Sequence, residues 1–128
     1  MSNTASTAPI HLSAALIVKN EAAKLEACLQ SIAGWVDEIV IVDSGSSDAT
    51  LEIAQKYGAQ VYSHTDWQGF GMQRQRAQNH VQGAWVMWLD ADERVTPELK
   101  QSLQAALNQY RDQQNVIFEF NRYSWAFG

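Results

Sequence analysis

The sequence predicts an α/β fold in which an open, mainly parallel β-sheet carries helices on both faces. Short apolar segments of four to seven residues alternate with longer amphipathic segments, which gives the order βαβαβαβαβ. The short segments are apolar almost without interruption, and such strands are typical of parallel sheets that are covered on both faces. The two observations together favour a single layered α/β domain.

Each predicted element corresponds to one segment of the sequence. The strands are LSAALIV, EIVIV, QVYS, AWVMWL and NVIFEFN, and the helices are EAAKLEACLQSI, SDATLEIAQKYG, GMQRQRAQNHV and TPELKQSLQAALNQY. Residues that favour helix starts precede three of these helices: Asn20 the first, Ser46 or Ser47 the second, and Thr96 with Pro97 the fourth. Asn20, Ser46 or Ser47, and Thr96 are the predicted N-caps, and Pro97 is the predicted first residue of its helix.

The composition predicts one folded domain, residues 12–128, after a flexible tail, residues 1–11. The chain has 128 residues, of which 46% are hydrophobic and 18% are charged, a mix that is ordinary for globular domains. The tail lacks the basic and apolar regions of an export signal, and the longest apolar run, 84–89, is far shorter than the roughly 20 residues of a membrane span. We therefore expect a cytoplasmic protein.

Charge and cysteine content narrow the function classes. The net charge of −5 and the lack of a Lys/Arg cluster argue against a nucleic-acid partner. Cys28 is the single cysteine, and its helical spacing predicts a buried hydrophobic side chain. No Ser-His-Asp or Cys-His arrangement of a nucleophilic enzyme is visible in the sequence.

The polar residues that follow the predicted strands are the candidate functional residues, because ligands of open α/β sheets bind beyond the carboxyl ends of the strands. Four carboxylates follow the second and fourth strands: Asp43, Asp48, Asp90 and Asp92. Asp90, Asp92 and the adjacent Glu93 are hard oxygen ligands that suit Mg²⁺ or Mn²⁺. The alternative is that Asp92 and Glu93 only begin a loop.

Two further segments carry candidates. The turn DSGSSDAT is neither a P-loop nor a GxGxxG loop, but Asp43 at its start is suited to accept a hydrogen bond from a base N–H or a sugar hydroxyl. Asp48 is explained as an acidic residue at a helix N-terminus. Arg74 and Arg76 lie two residues apart on the third helix and so on different faces, which lets only one of them face a given site.

Four segments, in this order and spacing, resemble the donor-binding half of a family 2 inverting glycosyltransferase with the GT-A fold: ALIVKNEAAKLEACLQSI, EIVIVDSGSSDAT, WQGFGMQRQRA and WVMWLDADERV. More narrowly, they resemble the lipopolysaccharide inner-core β-glucosyltransferases of Gram-negative bacteria. The resemblance covers about residues 12–127. It implies a UDP-hexose donor with UDP-glucose expected, a lipopolysaccharide core or other glycan acceptor, and a peripheral location at the cytoplasmic face of the inner membrane.

The resemblance also implies roles for individual residues. Asp43 would accept the N3–H of uracil, Asp90 would reach the ribose or the metal with its bound water, and Asp92 would ligate Mg²⁺ or Mn²⁺. Arg74 would help to hold the nucleotide, and Asn20 and Glu21 would belong to the first nucleotide-binding loop.

The chain departs from the family pattern at two positions. Gln75 stands where the family usually has Asn, and Val18 stands where Thr is often found. The general base of this family lies in a later, acceptor-side segment, so we expect the chain to be a donor-binding half truncated before the acceptor-binding half.

Two alternatives stay open at this stage. One is a catalytically inactive nucleotide-binding or self-association fragment, in which Tyr123, Trp125 and Phe127 form an apolar edge between copies. The other is an aspartyl-phosphate phosphatase, because WLDAD is a strand that ends in two spaced aspartates. Arg94 occupies the position where that class has Thr or Val.

Overall fold

The computed structural model describes residues 12–83, 85–109 and 116–119. Within them five strands and four helices alternate as predicted: β1 (Leu12–Val18), α1 (Ala22–Ile32), β2 (Glu38–Asp43), α2 (Thr50–Lys56), β3 (Gln60–Ser63), α3 (Phe70–His80), β4 (Trp85–Trp88), α4 (Pro97–Gln109) and β5 (Val116–Glu119). The predicted tail and the aromatic edge of Tyr123, Trp125 and Phe127 lie outside the described residues.

All five strands form one parallel sheet in the order β3-β2-β1-β4-β5. The chain first builds outward from β1 to β3 and then returns to place β4 on the other side of β1. This reversal is the position at which open α/β sheets bind ligands. Val18 at the end of β1 pairs with Asp43 at the end of β2, while Trp88 at the end of β4 pairs with Ala15, so the three ends share one edge.

The two faces of the sheet are covered unequally. Alternate side chains of β1 point to opposite faces, so Leu16 joins the larger apolar cluster and Ala15 joins the smaller one. Helices α1, α2 and α4 contribute apolar side chains to the larger cluster, and α3 contributes Ala77 to the smaller one. The prediction of helices on both faces is confirmed.

Two predicted N-caps are wrong. Helix α1 begins after Glu21, which occupies the N-cap position, and Asn20 before it adopts a positive φ of 53°. Helix α2 begins only at Thr50, three residues beyond Ser47. The Ala22 N–H at the start of α1 donates to Asp48, 26 positions further along the chain, and the Thr50 N–H at the start of α2 donates to the same Asp48, only two positions before it.

Two other local predictions are confirmed. The backbone N–H of Leu99 donates to Thr96 Oγ1 at 3.1 Å, so Thr96 caps α4. Cys28 is fully buried in the larger cluster. Among the helices that the structure describes, none is both long enough and apolar enough to cross a membrane.

Candidate functional site

The loops that follow β1 and β2 are fastened to each other at the carboxyl edge of the sheet. The backbone N–H of Asn20 donates to Ser46 Oγ at 2.8 Å, and the N–H of Ser47 donates to Asn20 Oδ1 at 2.8 Å. The side-chain oxygen of Asn20 therefore accepts a hydrogen bond from the neighbouring loop. The predicted first nucleotide-binding loop is in this way held rigid against the second.

Asp48 adds to this fastening by serving two helices. Its Oδ2 accepts from the N–H of Ala22 at 3.3 Å, in the first turn of α1, and its Oδ1 accepts from the N–H and the hydroxyl of Thr50 at the start of α2. The Thr50 hydroxyl is the main cause that lowers the pKa of Asp48, and burial opposes it. The interpretation of Asp48 as a helix N-terminal acid is confirmed, for two helices instead of one.

Asp43 lies at the end of β2, and its carboxylate organises the turn that follows. The residue is only 2% exposed, its Oδ2 accepts from the N–H groups of Gly45 and Ser46 at 3.0 Å each, and its Oδ1 accepts from the Ser46 hydroxyl at 2.5 Å. These bonds occupy three of the roughly four acceptor positions of a carboxylate. Asp43 is thus fixed in place and keeps capacity for a further donor.

The acidic turn after β4 presents its two aspartates to solvent. Asp90 and Asp92 are exposed, whereas Ala91 between them is 4% exposed and packs into the larger cluster. Glu93 closes the turn, because its Oε1 accepts from the N–H of Asp90 at 2.8 Å and its own N–H donates to Asp90 O at 3.0 Å. The alternation that buries Ala91 is what exposes both carboxylates.

This turn packs against α1 through Cys28. Cys28 Sγ lies 3.7 Å from the backbone oxygen of Asp90. Burial, followed by the negative charges of Glu93, Asp92 and Asp90, raises the pKa of the Cys28 thiol to about 12. The thiol is therefore neutral at physiological pH and is not a candidate nucleophile.

The described residues contain no group of three or more His, Cys, Asp or Glu side chains arranged to hold a metal ion. The expected gathering of three acids is therefore absent from them, since Glu93 is committed to the turn. Asp90 and Asp92 are exposed, and their carboxylates offer hard oxygen atoms. They fit a Mg²⁺ or Mn²⁺ ion that takes its other ligands from water and from a bound phosphate, which is the usual way proteins hold Mg²⁺.

The two arginines of α3 have different environments, as their spacing predicts. Arg76 Nη2 forms an ion pair with Asp66 Oδ2 at 3.0 Å, and Arg76 Nη1 donates to Gln73 Oε1 at 2.6 Å. The same arginine lowers the pKa of Asp66. Arg74 lies over the ring of Trp88, and this pair, with residues of α3, lines a cavity of about 230 Å³.

Sequence reasoning missed Gln73, which links α3 to the β2 loop. Gln73 is fully buried, and its Nε2 donates to Ser44 Oγ at 2.8 Å and to His64 O at 3.0 Å. The available signal was the composition of α3, which has so few apolar residues that Gln73 and Ala77, one turn apart, are its buried ones. Gln73 and Gln75 have the same value on any polarity scale, so such a scale cannot predict which of the two is buried.

The structure places the predicted residues in three groups along one edge. Asn20, Glu21 and Asp43 belong to the fastened loops of β1 and β2, and the Glu21 N–H donates to Thr50 Oγ1 at 2.9 Å. Asp90 and Asp92 follow β4, on the other side of β1. Arg74 lies on α3 and contacts β4 through Trp88.

A parallel sheet whose strand order reverses at β1, with an acidic turn after β4, is typical of ligand-binding α/β domains. Comparison with known proteins identifies the family. The chain belongs to glycosyl transferase family 2, whose family model matches residues 13–126. This membership decides against the phosphatase alternative.

Two relatives illustrate the match. An uncharacterized glycosyltransferase of Rickettsia bellii is 37% identical over 103 residues, covering 78% of this chain and 35% of that protein. The lipopolysaccharide core biosynthesis glycosyltransferase LpsC of Rhizobium meliloti is 38% identical over 96 residues, covering 72% of this chain and 35% of that protein. The chain thus spans about a third of the length of these relatives.

A solved structure supports the predicted GT-A fold. Glucosyl-3-phosphoglycerate synthase of Mycobacterium tuberculosis, crystallised with Mn²⁺, uridine-diphosphate and glucosyl-3-phosphoglycerate, superimposes with a TM-score of 0.61 at 27% identity. The match covers 80% of this chain and 41% of that one. The chain therefore has the GT-A fold of family 2 glycosyltransferases.

Proposed function

We propose that this chain is the donor-binding part of an inverting glycosyltransferase that transfers a hexose from a UDP-sugar to a lipopolysaccharide core glycan. The expected donor is UDP-glucose. One observation carries the proposal: the loops of β1 and β2 are fastened together at the same sheet edge at which Asp90 and Asp92 are exposed. Preorganised loops and an exposed carboxylate pair at the same edge of the sheet suit a nucleotide diphosphate.

Asp43 is the proposed acceptor for the N3–H of uracil. A carboxylate held by Gly45 and Ser46 cannot swing away, so its remaining acceptor position has a fixed direction. Asn20 and Glu21 shape the loop beside it, with Asn20 acting through its bond to Ser47. Arg74 supplies the positive charge that an anionic donor needs in a protein of net charge −5.

Asp90 and Asp92 are the residues that would hold Mg²⁺ or Mn²⁺. The relative from Mycobacterium tuberculosis was crystallised with Mn²⁺ and uridine-diphosphate, which supports a divalent ion for this chain. Such an ion, when bound, neutralises the charge that develops on the leaving diphosphate.

The acceptor proposal rests on the likeness to LpsC, a lipopolysaccharide core biosynthesis glycosyltransferase. Lipopolysaccharide core is built on a lipid, so we propose that the whole protein works peripherally at the cytoplasmic face of the inner membrane.

The test is calorimetric titration of UDP into the chain with and without Mn²⁺. We expect binding that requires the ion, and we expect Asp92→Asn to weaken it about tenfold or more, because the variant removes a charged ligand. Glu98→Gln removes an exposed carboxylate of α4 outside the site and should bind as the wild type does.

Absence of UDP binding by the folded wild type, or equal binding with and without Mn²⁺, would contradict the proposal. Titration of GDP and dTDP under the same conditions tests which nucleobase the site prefers. Preference for either over UDP would overturn the assignment of uracil to Asp43.

A further inference from the structure

A cation–π contact joins α3 to β4 beside the candidate site. Arg74 Cζ lies 4.4 Å from the ring centroid of Trp88, well within the roughly 6 Å over which such contacts are effective. Trp88 is 9% exposed and packs in the smaller cluster with Ala15, Val42 and Ala77. The core therefore fixes the indole, and the guanidinium rests on a rigid surface.

We propose that Trp88 is a positioning residue for Arg74, an inference that rests on the proposed function. An arginine side chain has many rotamers and loses them when it binds an anion. Stacking on an immobile ring removes part of that freedom before the ligand arrives. Trp88 thus raises donor affinity through Arg74 and without touching the donor.

The position of Trp88 in the chain places this contact close to the acidic turn. Trp88 is the last residue of β4, and Asp90 follows two residues later, in the turn. The residue that contacts Arg74 is therefore next to the segment that carries both exposed carboxylates.

A purely structural role for Trp88 makes a different prediction from a positioning role. A large core side chain stabilises the fold whatever residue stands at position 74, whereas a positioning residue affects ligand binding only while Arg74 is present. A double-mutant cycle separates the two.

The experiment measures UDP affinity in the presence of Mn²⁺ for the wild type, Trp88→Leu, Trp88→Phe, Arg74→Met and the double variant Trp88→Leu/Arg74→Met. We expect Trp88→Leu to weaken binding about three- to tenfold and Trp88→Phe, which keeps an aromatic face, to lose less. In the Arg74→Met background, Trp88→Leu should cause no further loss. Val86→Ala, which trims the same cluster two residues earlier on β4, is the matched control and should bind normally.

Equal losses from Trp88→Leu with and without Arg74 would overturn the inference, as would wild-type affinity in a folded Trp88→Leu. If Trp88→Leu does not fold, Trp88→Phe in both backgrounds gives the same comparison. If the wild type fails to bind UDP, the proposed function itself is refuted. If the wild type binds UDP and the Trp88 variants do not behave as expected, only this inference fails.

Discussion

Gln73 shows at the scale of one residue how a polar side chain can hold a site together. Its amide bonds three partners from three parts of the chain: Ser44 after β2, His64 after β3, and Arg76 on its own helix. A buried amide is tolerated only when its donors and acceptor are satisfied, and here they are. Gln73 therefore fixes α3, and with it Arg74, relative to the β2 loop.

Replacing Gln73 with Leu should destabilise the fold. The variant leaves Ser44 Oγ and His64 O without the amide that bonds them, so we expect the free energy of unfolding to fall by about 1–3 kcal/mol. Urea denaturation followed by circular dichroism measures it. Gln75→Leu, at an exposed position of the same helix, should change stability by less than about 0.5 kcal/mol, and equal losses for the two variants would refute the role of Gln73.

At the scale of the element, one carboxylate serves the N-termini of two helices. Asp48 accepts from Ala22 in α1 and from Thr50 in α2. Both helices would otherwise leave N–H groups unpaired at their starts, and the positive ends of their dipoles favour an acid there. Ionised Asp48 thus connects the N-termini of α1 and α2, which follow the loops of β1 and β2.

This arrangement predicts a pH-dependent stability. The pKa of Asp48 is lowered in the folded state from its ordinary value of 3.8, mainly by the Thr50 hydroxyl. Its stabilisation is therefore fully present above pH 3.8 and is lost as the pH falls through the lower folded-state value.

We expect Asp48→Ala to lower the Tm by about 2–5 °C at pH 7, and the difference from the wild type to shrink below pH 3.8. Asp48→Asn keeps an acceptor without the charge and isolates the charge effect. Differential scanning calorimetry across this pH range measures both variants, and a difference that does not change with pH would contradict the assignment.

At the scale of the whole molecule, the sheet has a well-buried centre and a more exposed edge. Every residue of β2 is buried, and β1 is buried except for one partly exposed position, whereas β3 has exposed residues at both ends. Strand β3 is also the edge strand on its side of the sheet. Strands β1 and β2 contribute buried side chains to both apolar clusters, and β3 contributes little to them.

Native-state hydrogen exchange should reflect this gradient. Amides of β1 and β2 should exchange only through global unfolding, and those of β3 should exchange at least about tenfold faster through local opening. Exchange monitored by mass spectrometry over residues 38–43 and 60–63 makes the comparison. Equal protection of the two segments would show that the sheet opens as one unit.

The order of strands and helices, the parallel sheet, the burial of Cys28, the cap at Thr96 and the family could all be predicted from the amino-acid sequence. The elements, the buried cysteine and the cap depend on local patterns of periodicity and helix-start preference, and the family depends on the order of four segments along the chain. The bonds of Asn20 and Asp48 between loops, the burial of Gln73 and the contact of Arg74 with Trp88 become visible only in the folded chain. Those contacts join residues 14 to 29 positions apart, and which distant residues meet depends on strand order and on the face each helix covers, which local preference does not encode.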